Sequence, residues 1–396
     1  MSGRLRAFYF LYYGYVGATL GFLAPYLRGL GFSGDQLGAV TTAAQLAAAP
    51  AGLAWGHAAD RFSARPAVLR VCALGALAAM AFLPLARTPA QVGAVLVAHS
   101  LFGGAIVPLV DSVSVEWAAG EPRRSYARTR VFGSIGFVVV AQGLGLLLSA
   151  RGELAGDPLV PVAALVCVVG YAVVAQLVGA PAPPARRDPG VTRSRISLRA
   201  AASLLRDPTL LLLFGSCALH WCALAPYHLL YGVLVRDHGL PARATGLGLS
   251  LGVLAEVAAF FAFPAIARRA SLGALLAAAC AASSLRWFLV AHADSAAALV
   301  GLQLFHGIGF GVWWAAVVEA MRRLVPVAMR ATGQAMFAAL VFGGGNALGY
   351  ALSGAGYQRF GSASPLFAIA ACADLAALAL AVVAGARLGG ARTGNA

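Results

Sequence analysis

Polar residues are so sparse along this chain that the apolar stretches between them set the pattern, not any alternation within them. Windows of about twenty mostly apolar residues, the length a helix needs to cross a bilayer, recur at 7–28, 36–57, 67–86, 91–115, 129–150, 158–180, 208–234, 244–267, 271–291, 296–318, 329–352 and 363–386. The segments between them carry Arg or Pro and Gly, the residues that break or flank spans. This predicts an all-α membrane protein of twelve transmembrane helices. One longer break, residues 181–206, is rich in Pro and Arg and too polar to span. It divides six spans from six, so the predicted organisation is an N-terminal six-helix bundle (1–180), a cytoplasmic linker (181–206) and a C-terminal six-helix bundle (207–396). Two bundles joined in this way can rock about a central site.

Composition agrees with that reading. The chain is 60% hydrophobic and 11% charged, with a mean hydropathy of +0.81, far too little charge for a soluble surface. A formal charge of +15 would ordinarily raise nucleic acid as a partner, but every basic residue is Arg and the distribution follows the spans. With the N-terminus inside, 22 of the 29 basic residues fall on the inner side, the asymmetry that sets topology in a membrane. Both termini are therefore expected in the cytoplasm of a multi-pass inner-membrane protein, and no nucleic-acid partner is expected. The first apolar stretch has full span length and no cleavage site after a short core, so it reads as a helix and not as a secretory leader. The six cysteines fall within spans without metal-ligand spacing, which assigns them to packing. No metal or cofactor is expected.

Against this apolar background three ionisable residues stand out. Glu256 lies near the centre of the eighth predicted span, Arg286 in the ninth and His306 in the tenth. A charge at mid-bilayer costs about 2.5–3.5 kcal/mol on insertion scales, so such residues face water or one another. Arg286 cannot discharge itself and needs a partner; Glu256 is the candidate, and proton uptake by Glu256 would release it. The alternative is a static ion pair between two spans. Glycines at Gly17/Gly21, Gly52/Gly56, Gly248/Gly252 and Gly345/Gly349 form small-xxx-small pairs that permit close helix approach. Gly307, Gly309 and Gly311 follow no strand and read as packing, not as a nucleotide loop.

The loop after the second span reads Gly56-His57-Ala58-Ala59-Asp60-Arg61-Phe62-Ser63-Ala64-Arg65. It resembles the G-x-x-x-D-R-x-G-x-R signature of the major facilitator superfamily, with Ser63 where the family has Gly. Further fragments follow in order: Ala24-Pro25-Tyr26 with Asp35-Gln36-Leu37-Gly38, Val107-Pro108-Leu109-Val110-Asp111, Tyr126 to Ser134, Leu251 to Val257, Leu285-Arg286-Trp287 and Leu304-Phe305-His306. Together they are similar to the branch of oligosaccharide:proton symporters and phenylpropionate permease-like carriers. That resemblance implies a conformational latch at Gly56, Asp60, Arg61 and Arg65, solute binding by Asp111 and Arg130, and proton coupling through Glu256, Arg286 and His306. Tyr26 and Trp313 are added as aromatic candidates for the solute site. One departure concerns coupling. Lactose permease-like proteins place a carboxylate one turn after the histidine, where this chain has Gly309.

The reading that follows is a secondary active transporter, not an enzyme, that moves a small organic solute (a sugar, nucleoside or aromatic acid) by alternating access with proton-coupled symport. It would work as a monomer in the lipid bilayer. A drug:proton antiporter of the same superfamily is the alternative, disfavoured because Gly133-Ser134-Ile135-Gly136-Phe137 lacks the proline of the antiporter motif. A membrane-embedded enzyme is less favoured still, since no His, Asp or Glu cluster with ligand spacing is present. Glu319 and Asp374 carry no assigned role at this stage.

Overall fold

The computed structural model describes residues 1–121, 123–179 and 202–390. Most of the predicted linker, including 181–201, lies outside these. Each expected span is a helix. In the first half, α1 (Ser2–Leu20) and α2 (Leu23–Gly29) form one span bent by 42°. They are followed by α3 (Gly34–Arg61), α4 (Arg65–Met80), α5 (Pro89–Gly103) continued by α6 (Ile106–Ala119), α7 (Tyr126–Ala150) and α8 (Leu159–Leu177). The second half comprises α9 (Pro208–Asp237), α10 (Ala242–Ile266), α11 (Leu272–His292), α12 (Ala296–Gly301) leading to α13 (Trp313–Leu324), α14 (Arg330–Phe337) leading to α15 (Asn346–Phe360), and α16 (Ser364–Gly390). Among the described residues, eleven helices are long and apolar enough to cross a bilayer, and the bent pair taken as one span makes twelve. Two compact units result, one from the described residues of Met1–Val191 with Pro241–Leu247, the other from those of Thr192–Leu240 with Gly248–Ala396.

Local chemistry explains the helix starts. Ser33 and Thr88 each make a reciprocal capping box with Gln36 and Gln91, satisfying amide donors that the first turn leaves open. Ser125, Asp207, Ser271 and Ser295 accept backbone N–H groups in the same way. Large apolar residues such as Phe261, Val139 and Leu146 stand exposed on the helix exteriors, an arrangement stable against acyl chains and not against water.

Glycines decide how closely the helices approach. A Cβ on Gly17 would come 2.7 Å from the Phe137 carbonyl oxygen, and one on Gly52 would come 2.9 Å from that of Gly104. In the second unit Gly345 and Gly349 meet Ala218 and Cys222 of α9 at 3.0 and 2.8 Å. Gly17, Gly52, Gly345 and Gly349 are therefore contact points, whereas Gly56 faces open space. Four cysteines are buried and Cys222 is half-buried, but Cys372 is exposed, so packing inside the protein does not account for that one.

Between α7 and α8, Asp157 takes the Arg151 Nε at 2.7 Å and the Leu159 amide at 2.9 Å. Burial works to raise this carboxyl, yet these bonds outweigh it and hold Asp157 below its ordinary range. Its contribution to stability is thus complete above the usual aspartate range and is lost as pH falls through the lower folded value. Asp157→Asn is expected to lower the thermal midpoint at neutral pH, and the gap from wild type should close as the buffer is taken to acid. On α7, a Cβ at Gly136 would sit 2.0 Å from the Phe10 carbonyl oxygen, whereas Gly143 has nothing within 4 Å. Gly136→Ala should cost about 1–3 kcal/mol of stability by forcing α1 and α7 apart, with Gly143→Ala close to wild type in the same melt.

Candidate functional site

In the first unit, polar side chains from α1, α6 and α7 converge. The Tyr9 hydroxyl donates to Asp111 Oδ1 at 2.6 Å and lies 3.1 Å from Ser114 Oγ. Arg130 donates through Nη2 to the Tyr13 hydroxyl. Its guanidinium lies over the Tyr13 ring at 4.0 Å and the Tyr9 ring at 5.4 Å, a geometry in which ring faces offset part of the charge. Arg130 Nε and Asp111 Oδ1 are 4.0 Å apart, each side chain 30% exposed. That is a loose pair, open enough for the guanidinium to take another carboxylate. Tyr26 goes elsewhere: its hydroxyl accepts from Arg87 Nη1 at 2.9 Å, and it follows Tyr13 by a helix length of roughly 20 Å.

The second unit holds Arg286 at 1% exposure. Its Nη1 lies 3.0 Å from His306 Nδ1, and its Nη2 donates to Gln303 Oε1. Gln303 in turn donates to the Leu299 carbonyl at 2.7 Å. The guanidinium is stacked against Tyr227 and Trp287, 4.4 and 4.2 Å from the ring centroids. On the far edge of the imidazole, His306 Nε2 stands 3.6 Å from Glu256 Oε2. Glu256, Arg286 and His306 are thus brought together with the imidazole in the middle. Because a guanidinium has only donors, His306 Nδ1 must accept. The ring is then neutral with its proton on Nε2, directed at Glu256.

Backbone shape makes this possible. His306 precedes a π-helical segment, Gly307–Val312, of the kind that widens a helix where function requires it. Cβ atoms on Gly307 and Gly311 would lie 2.6 Å from the Ala255 carbonyl oxygen and 2.9 Å from the Ala259 Cβ. The bare backbone there presses against α10 and delivers the imidazole to Glu256. Gly309, the position where related carriers have a carboxylate, would place a Cβ 3.2 Å from Ser283. A side chain there would need Ser283 to give way by a few tenths of an ångström, and Glu256 is the carboxylate that stands at the histidine.

Arg65 Nη2 holds Asp60 Oδ1 at 2.7 Å, and Nη1 binds Glu116 of α6, so this residue ties the end of α3 to α6. Arg61 is exposed. Ser63 adopts φ +50°, the left-handed turn that explains why glycine suits this position. Glu319 pairs with Arg322 and Arg323 one turn along its own helix. Trp313 is fully buried, tilted against His220 at 4.6 Å and stacked on Trp221 at 5.7 Å. His220, Cys280 and Asp374 bring potential ligand atoms within 4.8 Å of one another, but both Asp374 oxygens already accept hydrogen bonds, from His220 Nδ1 and Trp287 Nε1. Sequence reasoning did not single out Tyr9, Tyr13, Ser114, Glu116 or Gln303. A mid-span glutamine three residues before His306 was the one available signal.

Helices of this number with charged groups sequestered inside each unit define a polytopic secondary transporter. Residues 3–369 match the MFS_1 like family, and the chain belongs to it: a major facilitator transporter, not an enzyme, embedded in a membrane by multiple spans. It is 26% identical over 359 residues to a probable 3-phenylpropionic acid transporter of Escherichia coli (strain K12), covering 89% of this chain and 90% of that one. It is 21% identical over 347 residues to the uncharacterized transporter YwbF of Bacillus subtilis (strain 168), covering 86% and 83%. Among solved structures, the nucleoside transporter NupG superposes with a TM-score of 0.82 at 18% identity, over 97% of this chain and 98% of that one. A POT family transporter in complex with 5-aminolevulinic acid gives 0.72 at 13%, over 98% and 96%. These likenesses establish the fold.

The Arg286 site predicts an asymmetry in stability. Gln303→Leu removes one of the two acceptors of a fully buried guanidinium and should cost about 1–3 kcal/mol. Adding Arg286→Met to that background should recover part of the loss, because the charge that lacked a partner is gone. Thermal unfolding of the purified variants in detergent reads both.

Proposed function

We propose that this chain is a proton-coupled symporter of a small aromatic carboxylate. The observation that carries the reading is the Glu256–His306–Arg286 series, in which a neutral imidazole joins a carboxylate to a guanidinium that cannot lose its proton. A proton on His306 Nδ1 would face the Arg286 donor and break their bond, and a proton on Glu256 removes the charge that balances Arg286. Either event changes the relative stability of two arrangements of the unit, which is what coupling requires. Arg130, loosely held by Asp111 and flanked by tyrosine rings, is suited to a solute that carries both a carboxylate and a ring. Kinship with a probable 3-phenylpropionic acid transporter supports that class. Trp313, buried among aromatic rings of the second unit, and Tyr26, held by Arg87 in the first, remain aromatic candidates for contact with the solute.

Uptake of a carboxylate with a proton is electrically neutral, so an acid-outside gradient alone would drive accumulation. The Asp60–Arg65–Glu116 clamp, with Gly56 and Arg61 beside it, would stabilise one of the two conformations at its end of the first unit. The Arg distribution supports a topology with both termini on the cytoplasmic side, and the chain is taken to work as a monomer.

Proteoliposomes loaded at neutral pH and diluted into acid should accumulate 3-phenylpropionate or a related aryl carboxylate. Arg130→Gln should reduce this by roughly 10- to 150-fold, the worth of a charge-assisted hydrogen bond of about 1.5–3 kcal/mol. Glu256→Gln should abolish gradient-driven accumulation while leaving solute exchange between two equilibrated compartments. Flux of no aryl carboxylate under any gradient would remove the reading, and proton-driven export of bulky cations would favour the antiporter instead.

A further inference from the structure

The reading above uses Arg286, His306 and Glu256 but leaves a second buried charged centre in the same unit without a task. Asp374 on α16 is 0% exposed and His220 on α9 is 1% exposed. His220 Nδ1 lies 2.7 Å from Asp374 Oδ1, and Trp287 Nε1 donates to Asp374 Oδ2 at 2.9 Å. Burying an ion pair gains little stability compared with apolar side chains of equal volume. What it supplies here is a fixed direction. Trp287 is fully buried and is the residue next to Arg286, and the face of its indole lies 4.2 Å from the guanidinium carbon. The carboxylate therefore holds, by its edge, the ring on which Arg286 rests.

The same two centres are joined by a second route. The His220 ring lies 4.6 Å from Trp313, which lies 6.4 Å from Phe310. Phe310 is stacked at 5.0 Å and 5° on His306, the imidazole that accepts from Arg286. A closed circuit of side chains results: Asp374, Trp287, Arg286, His306, Phe310, Trp313 and His220. Tyr227 lies 4.4 Å from the same guanidinium carbon, with its ring 5.7 Å from that of Trp287, so the two rings together limit how far Arg286 can tilt.

We propose that Asp374, braced by His220, is a positioning residue for the proton-coupling group: by fixing Trp287 through its indole N–H it sets the orientation of Arg286 toward His306 and Glu256. This rests on the proton-coupled reading for its biological use but concerns geometry that exists without a solute. The ionisable groups that face Arg286, His306 and Glu256 are Tyr227, Tyr231, His228 and His220 from α9 and Asp374 from α16. Arg286, if released from its ring, bears less strongly on His306 and Glu256. The carboxyl of Glu256 should then keep its proton to higher pH.

The test is infrared titration of the Glu256 carboxyl band in the purified full-length protein, with the band identified by its loss in Glu256→Gln. Trp287→Phe, which keeps a ring face but removes the N–H, and Asp374→Leu, which removes the acceptor, should each raise the midpoint by about half a pH unit or more, about 0.7 kcal/mol. The double variant should move no further than either alone, since both break the same bond. A purely structural role for Asp374 would lower the thermal midpoint and leave the Glu256 midpoint unchanged, and that result would overturn the proposal. Should Asp374→Leu fail to fold, Trp287→Phe alone decides it. A shifted Glu256 midpoint in a protein that transports nothing would sustain this inference and remove only the symport reading.

Discussion

A guanidinium that water does not reach and that cannot give up its proton is the constraint around which the second unit is built. Arg286 obtains two acceptors, Gln303 and His306, and two ring faces, Tyr227 and Trp287. Each of these must then be held in place by something else. Gln303 is anchored to the Leu299 carbonyl, Trp287 to Asp374, and His306 faces Glu256. Buried polar networks of this kind are favourable only when nearly every member is satisfied, and the demand spreads from one residue to five spans.

Apolar residues could fill the same volume at lower cost, so stability alone does not explain the arrangement. The accompanying backbone features lead to the same conclusion. A π-helical segment begins immediately after His306, and a second, Ala338–Gly345, interrupts the next span. Glycines in the first strip away the side chains that would keep α10 at a normal distance. Regular helices with leucine at these positions would be easier to fold. They would also separate His306 from Glu256, and a carboxylate without its imidazole has no route by which a proton could alter Arg286.

Spans were legible from hydropathy because the bilayer imposes one length on every helix; all twelve expected windows correspond to helices, and the bend at Gly21–Phe22 was the feature that hydropathy did not contain. Ionised residues were legible for a similar reason, since Arg286 and Glu256 cost too much in lipid to be incidental. The neutral polar partners were not. Gln303, Ser114, Tyr9 and Tyr13 are cheap enough to sit anywhere on a span, and choosing among them requires the rotation of each helix about its own axis. A chain that is apolar on every face does not encode that phase in its pattern. Tyr26 and Tyr13 look alike in sequence, yet one reaches Arg87 and the other Arg130. Asp374 carried a visible charge but no visible partner, because His220 precedes it by 154 positions.

The two arginines are solved in opposite ways, and on the proposed reading the difference suits them to different work. Arg130 keeps 30% of its side chain exposed and stands 4.0 Å from its carboxylate, so it holds a pair it can exchange at little cost. Arg286 is enclosed, set against two aromatic rings and doubly accepted, so any exchange there would strand a charge. A carrier needs both kinds of site. The group that binds a solute must give up its resting partner and later recover it, which demands weak, accessible pairing. The group that senses a proton must let a small change in charge alter a large structure, which demands that nothing near it be loose. Placing the first in one unit and the second in the other lets each be optimised without weakening its counterpart.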